Sequence, residues 1–371
     1  MQTVHSVIKH GAFYWDHELV PLAVLEARLE KVRAAIRAAG DAAWLFYGDA
    51  RSCGALAYVS HYFPRLRDAV LLVALDAPPV LFVNGAPRMV PSMKPLTWIA
   101  DVRGFGRPPK PLAALLTETN LAGARVGTVG VAESFPALEW NELGALVPGI
   151  AFAERDAEFA QLRREKDAVD LGVSAKATGI LAEAFAVAGT LLQPGASTGA
   201  AFAAIERVLR LAGAEDVRIL TGGGADGTDL APPVERVLAA GESIMLFLGV
   251  EMQRYWAEGM RTFAIGAGNP QADALAARAQ AAVDAMAAAA VTGVRGSVLA
   301  AAAQTALADD ALLAAASAYG LGHGIGLDVH EWPSIAAGSR DVLTPGTALA
   351  LHVVLKNGSA GAGAGRTVVV R

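Results

Sequence analysis

Two histidines seven residues apart, His323 and His330, stand in the string Gly322-His323-Gly324-Ile325-Gly326-Leu327-Asp328-Val329-His330-Glu331-Trp332-Pro333. Imidazole changes charge near neutrality, so it can exchange protons with a substrate at ordinary pH. Glycines on both sides of His323 permit close backbone approach and unusual φ/ψ, which places that imidazole in a loop between elements, with His330 on an extended segment after it. A lone histidine is commonly a satisfied core residue. Two in one Gly-framed string are the sharpest local feature of the chain.

The elements that must position them alternate along both halves. Pro21–Gly40 spaces Leu22, Leu25, Leu29, Val32 and Ile36 three and four apart, with Pro at its start and Gly past its end, and predicts an amphipathic helix. Short β-type runs follow at Ala43–Tyr47, Ala69–Leu75, Val80–Val83, Trp98–Val102 and Arg125–Val131, giving an α/β first domain. The charged stretch Phe152–Glu165 opens a long helical segment to about Ala188, which places the boundary between domains 1–153 and 154–371. In the second half, a helix about Thr198–Ala212 precedes strands around Val217–Leu220, Ser243–Val250 and Arg261–Ile265. Two Ala-rich helices, Gln271–Ala290 and Ser297–Ala308, lead to the His string and to closing strands at Ala348–Val354 and Thr367–Val370. Strand pairs flanking helices predict an α+β domain with an antiparallel sheet.

Composition narrows the function classes. The 371 residues are 54% hydrophobic and 18% charged, enough apolar material for two cores. With 31 Lys+Arg against 36 Asp+Glu and no basic run, nucleic acid is excluded as an expected partner. The single cysteine, Cys53, rules out an internal disulfide and fits a reducing compartment, where it reads as a small buried hydrophobe. The apolar runs are interrupted and the N-terminus has neither a basic region nor a long apolar one, so neither a membrane span nor a secretory signal is expected, and the location expected is cytoplasmic.

The His string resembles the signature of the creatinase/aminopeptidase P/methionine aminopeptidase family of pita-bread proteins. Glu235–Glu242, Tyr255–Phe263 and Thr344-Pro345-Gly346 fall in the same order as that family's segments around its metal-bearing strands. The resemblance implies a creatinase-like N-terminal α/β domain, a C-terminal α+β pita-bread domain and a homodimer. Active peptidases of the family hold two metal ions with two aspartates, a histidine and two glutamates. Here those positions read Phe247, Glu258, His323, His352 and Gly365, and the upstream substrate histidine reads Leu230 or Ala231.

With two of five ligands replaced by groups that cannot bind metal, the resemblance implies no dinuclear site and no cofactor. The expected activity is a metal-independent, non-peptidase, creatinase-like hydrolysis of a C–N bond in a small carboxylate-bearing substrate. His323, His330 and Glu258 are then its catalytic groups, and Phe63, Arg65, Glu331, Arg261 and Phe247 its substrate-binding ones. Phe63-Pro64-Arg65 resembles the creatinase segment that reaches the neighbouring subunit's pocket, where an arginine fork suits a carboxylate. Two alternatives stand beside this. One is a mononuclear enzyme holding a single Zn²⁺ or Fe²⁺ on Glu258, His323 and His352; the other is an inactive binding or scaffold protein.

Overall fold

The computed structural model describes residues 14–64, 67–224 and 229–371. The chain divides into two compact units, the first ending at Arg164 and the second beginning at Glu165. That division falls beyond position 153 for a local reason. Residues 151–164 are a strand and a helix of the first unit, not the start of one long helix: Ala151–Glu154 pairs parallel to Arg125–Val129, and the helix Asp156–Arg164 follows. A new helix, Ala168–Leu191, starts at Asp167, whose carboxylate accepts from the Val169 and Asp170 amides while Asp170 accepts from the Asp167 amide.

The first unit carries a six-stranded mixed sheet. Its strands are β1 (Ala43–Asp49), β2 (Asp68–Ala74), β3 (Val80–Asn84), β4 (Asp101–Phe105), β5 (Arg125–Val129) and β6 (Ala151–Glu154), in the order β4-β3-β2-β1-β5-β6. The predicted first helix forms over Leu22–Ala39 and stops at Gly40, which takes the left-handed conformation (φ 66°) that frees two amides for the last carbonyls. β4 starts three residues later than its apolar run suggests. The Trp98 indole N–H is held instead by the Val59 carbonyl, 2.7 Å away at the end of the helix Gly54–Ser60.

The second unit is built on seven antiparallel strands: β7 (Asp216–Gly222), β8 (Ser243–Met252), β9 (Tyr255–Ala264), β10 (Gly322–Gly324), β11 (Glu331–Ser334), β12 (Ala348–Asn357) and β13 (Ala360–Val369). They lie in the order β11-β10-β12-β13-β9-β8-β7, which bears out the α+β expectation. β-Alternation sends Leu349, Leu351, Val353 and Leu355 of β12 into one core with the Ala-rich helix Pro270–Ala289. In Ala360-Gly361-Ala362-Gly363-Ala364-Gly365 the same period puts the alanines on that helix face and leaves the opposite face bare. The Met245 and Met260 thioethers fill part of that bare strip, since a Cβ at Gly363 would lie 2.9 and 2.8 Å from their sulfurs.

The helix Ala168–Leu191 is apolar and long enough, by length and composition alone, to cross a bilayer. The sequence predicts a helical segment to about Ala188, and the helix ends three residues later. In the structure it packs along β8 and β9 and buries Val173, Ala177, Leu181 and Phe185.

Candidate functional site

The sheet of the second unit has one helix-covered face, and the titratable residues collect on the other. Register across the strands defines two adjacent rows there. Arg218 of β7 pairs with Gly249 of β8, which pairs with Glu258 of β9; on the far side Thr367 of β13 pairs with Ala350 of β12, which pairs with His323 of β10. The neighbouring row reads Leu220, Phe247, Met260, Gly365 and His352. Glu258 and His323 are far apart in sequence, and register is what brings them onto one face.

His323 therefore lies on a short strand, not in the predicted loop. The flanking glycines are needed because strands crowd there: a Cβ at Gly322 would lie 2.4 Å from the Ala350 carbonyl oxygen, and one at Gly324 would lie 2.0 Å from that of Trp332. The His323 Nδ1 is 3.0 Å from the Gly324 carbonyl oxygen. A carbonyl only accepts, so the proton is assigned to Nδ1 and the Nε2 lone pair is left pointing out. That Nε2 is 3.8 Å from Glu258 Oε2. The His330 ring stacks on the His323 ring at 3.8 Å, and the His352 ring stands edge-on to it at 5.8 Å.

Between β9 and β13 the backbone pairing is confined to Gly365–Met260 and Arg366–Gly259. Threonine hydroxyls take over on both sides. Thr367 Oγ1 accepts from the Glu258 amide at 2.8 Å and donates to the Glu258 carbonyl at 2.9 Å, and Thr262 Oγ1 does the same for Gly363 at 2.9 Å for both bonds. Glu258 thus has a fixed main chain, while its carboxyl has only the partners on the open face.

Burial governs the charge states. Glu258 is pushed up to about 7 by burial, against the opposing pull of the nearby Arg218 cation. His352 is pushed down to about 4 by burial, then by the two neighbouring imidazoles. His323 is lowered by burial too, its bond to the Gly324 carbonyl working the other way. At neutral pH His323 and His352 stand as neutral imidazoles beside a carboxyl poised between its two forms.

The remaining predicted residues are distributed differently. Phe247 reaches the same face and, with Glu258, Met260, His352 and Gly365, lines a cavity of about 10 Å³, at the threshold for one water. Arg261 points to the opposite face, its guanidinium 5.0 Å from the centre of the Phe185 ring. The Glu331 carboxylate is engaged by Lys166 Nζ at 2.8 Å and by the Asp328 amide at 3.1 Å, so it anchors the His-bearing loop. Phe63 is buried in the first unit, and Arg65 lies outside the described residues. Sequence reasoning missed Arg218, whose meeting with Trp256 depends on strand register. A groove of about 950 Å³ in the first unit, where Arg103 is held by Asp101 and Glu118, contains no histidine.

Comparison with known proteins decides the family. The model of metallopeptidase family M24 matches residues 174–371. The chain belongs to this family. M24 is a family of hydrolases, and the similar proteins carry peptidase names. "Probable dipeptidase PepE" of Mycobacterium bovis and of Mycobacterium tuberculosis are each 30% identical over 246 residues, covering 64% of this chain and 63% of each relative. The aligned stretch thus spans less than two thirds of those relatives. Among solved structures, dipeptidase PepE from Mycobacterium ulcerans is 25% identical with a TM-score of 0.77, covering 96% of this chain and 94% of that one. X-Pro aminopeptidase from Thermotoga maritima is 19% identical, with a TM-score of 0.81 over 92% of this chain and 94% of that one. Prolidase from Pyrococcus horikoshii is 20% identical, with a TM-score of 0.78 over 93% and 95%. The last two likenesses speak for the M24 fold.

These findings correct the functional expectation. A metallopeptidase family and relatives named as dipeptidases overturn the non-peptidase, creatinase-like reading, and nothing in them supports metal independence, a degenerate metal site or an inactive scaffold. The family implies a metal, and the donor set does not match one. Among the described residues no three His, Cys, Asp or Glu side chains are grouped so as to hold a metal ion. Phe247 and Gly365 offer no donor side chain on the row that carries His352. The described side chains do not fit the family's two-metal set as they stand, and no chemical step below is routed through a metal.

Proposed function

We propose that this chain is a dipeptide hydrolase whose acid–base pair is Glu258 and His323. One observation carries the proposal: the Nε2 lone pair of His323 faces the buried Glu258 carboxyl across 3.8 Å, beside a cavity of about 10 Å³ that can admit one water. Peptide-bond hydrolysis needs a base to take a proton from water and an acid to give one to the departing amine. Neutral His323 is the base. Water adds to the scissile carbonyl carbon as its proton passes to Nε2, forming a tetrahedral intermediate. The protonated Glu258 carboxyl then donates to the amide nitrogen as the C–N bond breaks, releasing a carboxylic acid and an amine. The proton on His323 returns to the Glu258 carboxylate and resets the pair.

His330 supports this by stacking on His323, fixing its ring plane and opposing its protonation by charge. His352, held neutral, borders the water-sized cavity. Support for a dipeptide comes from the 30% identical relatives named as dipeptidases. The test is release of free amino acids from a panel of dipeptides, Xaa-Pro members included, by protein purified without chelator and assayed with and without added Mn²⁺, Co²⁺ or Zn²⁺. Turnover of at least one dipeptide that falls on replacing His323 by alanine is the expected result. Absence of turnover on the whole panel in every condition contradicts the proposal.

A further inference from the structure

Resting on the dipeptide-hydrolase reading, the geometry points to Arg218, braced on Trp256, as the clamp for the substrate's terminal carboxylate, with the residue that bears it lying over Gly249, where β8 presents no side chain. The Arg218 guanidinium carbon sits 4.2 Å from the centre of the Trp256 ring, and the side chain is exposed. Among the described residues it forms neither a hydrogen bond nor an ion pair, although it stands close enough to Glu258 to act on its charge. A planar cation held flat on an indole, with its N–H edge unused, is preorganised for a planar anion that can take two parallel hydrogen bonds.

The strand between them presents no side chain. Gly249 lies between Arg218 and Glu258 in the sheet, and a Cβ there would find Arg218 Cβ at 3.5 Å, Phe247 Cε1 at 3.6 Å and Glu258 Cγ at 3.7 Å. These are ordinary contacts, so the glycine is not forced by crowding. Its effect is that no side chain of β8 stands between the cation and the acid.

The spacing suits a dipeptide. Trp256 and Glu258 are two residues apart on one face of β9, about 6.6 Å along the strand. From the scissile nitrogen through Cα and the terminal carboxylate to a guanidinium nitrogen is also about 6.5 Å in standard geometry. A longer peptide would place its carboxylate at least one residue further on, beyond this reach.

The experiment is calorimetric titration of the full chain, in a Glu258→Gln background that prevents turnover, with glycyl-proline and with its C-terminal amide. The acid is expected to bind at least tenfold tighter than the amide. Arg218→Gln is expected to weaken the acid about ten- to a hundredfold, change the amide less than twofold and so erase the preference, and Arg218→Lys to restore part of it. Gly249→Val, which puts a branched side chain between Arg218 and Glu258, is expected to weaken both. Equal binding of acid and amide, equal losses for both in Arg218→Gln, no binding of either, or undiminished binding in Gly249→Val each overturns the assignment. Binding requires no turnover. Acid-selective binding that depends on Arg218, in a chain whose native form hydrolyses no dipeptide, leaves the clamp standing and removes only the hydrolase reading.

Discussion

Glu258→Gln is expected to lower kcat for dipeptide hydrolysis by about 10²- to 10⁴-fold, the usual contribution of a positioned general acid. Glutamine keeps the shape and one acceptor but has no proton to give a leaving amine. The backbone at 258 is clasped by Thr367 whatever the side chain, so the fold should persist. The same change should stabilise the protein at alkaline pH. With its folded-state pKa raised to about 7 from the ordinary 4.5, Glu258 binds a proton more tightly in the native chain than in the unfolded one. Native stability therefore falls as pH rises from 4.5 to about 7, and at pH 8 the buried anion costs on the order of 3 kcal/mol. Denaturant melts at pH 8 should show the variant more stable as its activity drops, which separates loss of chemistry from loss of fold. Lower stability at pH 8 would mean that the carboxylate is paired, not stranded.

A second large effect is expected at the hairpin that joins β8 to β9. Gln253 and Arg254 form its two-residue turn with φ of 46° and 75°, a conformation that favours Asn-Gly and costs other residues about 1 kcal/mol or more each. Glu215 offsets that cost. Its Oε1 takes the Arg254 Nη1 at 2.7 Å and the Gln253 side-chain amide at 3.2 Å, and its Oε2 takes the Arg254 amide at 3.2 Å, with both ion-pair side chains only 1% exposed. Arg254→Met leaves that carboxylate buried without its cation, which should destabilise the protein by about 3–5 kcal/mol. The double variant Arg254→Met/Glu215→Leu should recover most of the loss, since an apolar pair needs no solvation. Urea melts of the three proteins check this, and a single variant within 1 kcal/mol of the wild type would show the pair to be energetically idle.

How far such features can be read beforehand depends on how local their cause is. The helix Leu22–Ala39 was legible because its period and its Gly40 stop lie within one segment, and β8 and β12 because long apolar runs can do little else. The break at 165–167 was written in Asp167-Ala-Val-Asp170, a capping pair hidden by the high helix propensity on both sides. His323 was expected in a loop and lies on a short strand. Flanking glycines signal a loop and a crowded strand equally, and only the β11 and β12 backbones tell which. Arg218, Gly249 and Trp256 come together only through register. The functional expectation failed because it weighed five ligand positions singly, whereas membership of M24 rests on residues 174–371 as a whole.

The account turns on one pair holding opposite protonation states in a defined window, and the pH dependence of kcat/KM tests it most directly. Productive enzyme has His323 neutral and Glu258 protonated. His323, lowered by burial, is neutral above the ordinary imidazole range, and Glu258 keeps its proton up to about 7. The expected profile for a cleaved dipeptide is a bell whose alkaline limb falls tenfold per pH unit above about 7. In Glu258→Gln that limb should vanish from whatever activity remains. A wild-type kcat/KM that keeps rising through pH 7 to 9 would contradict the assignment of Glu258 as the acid.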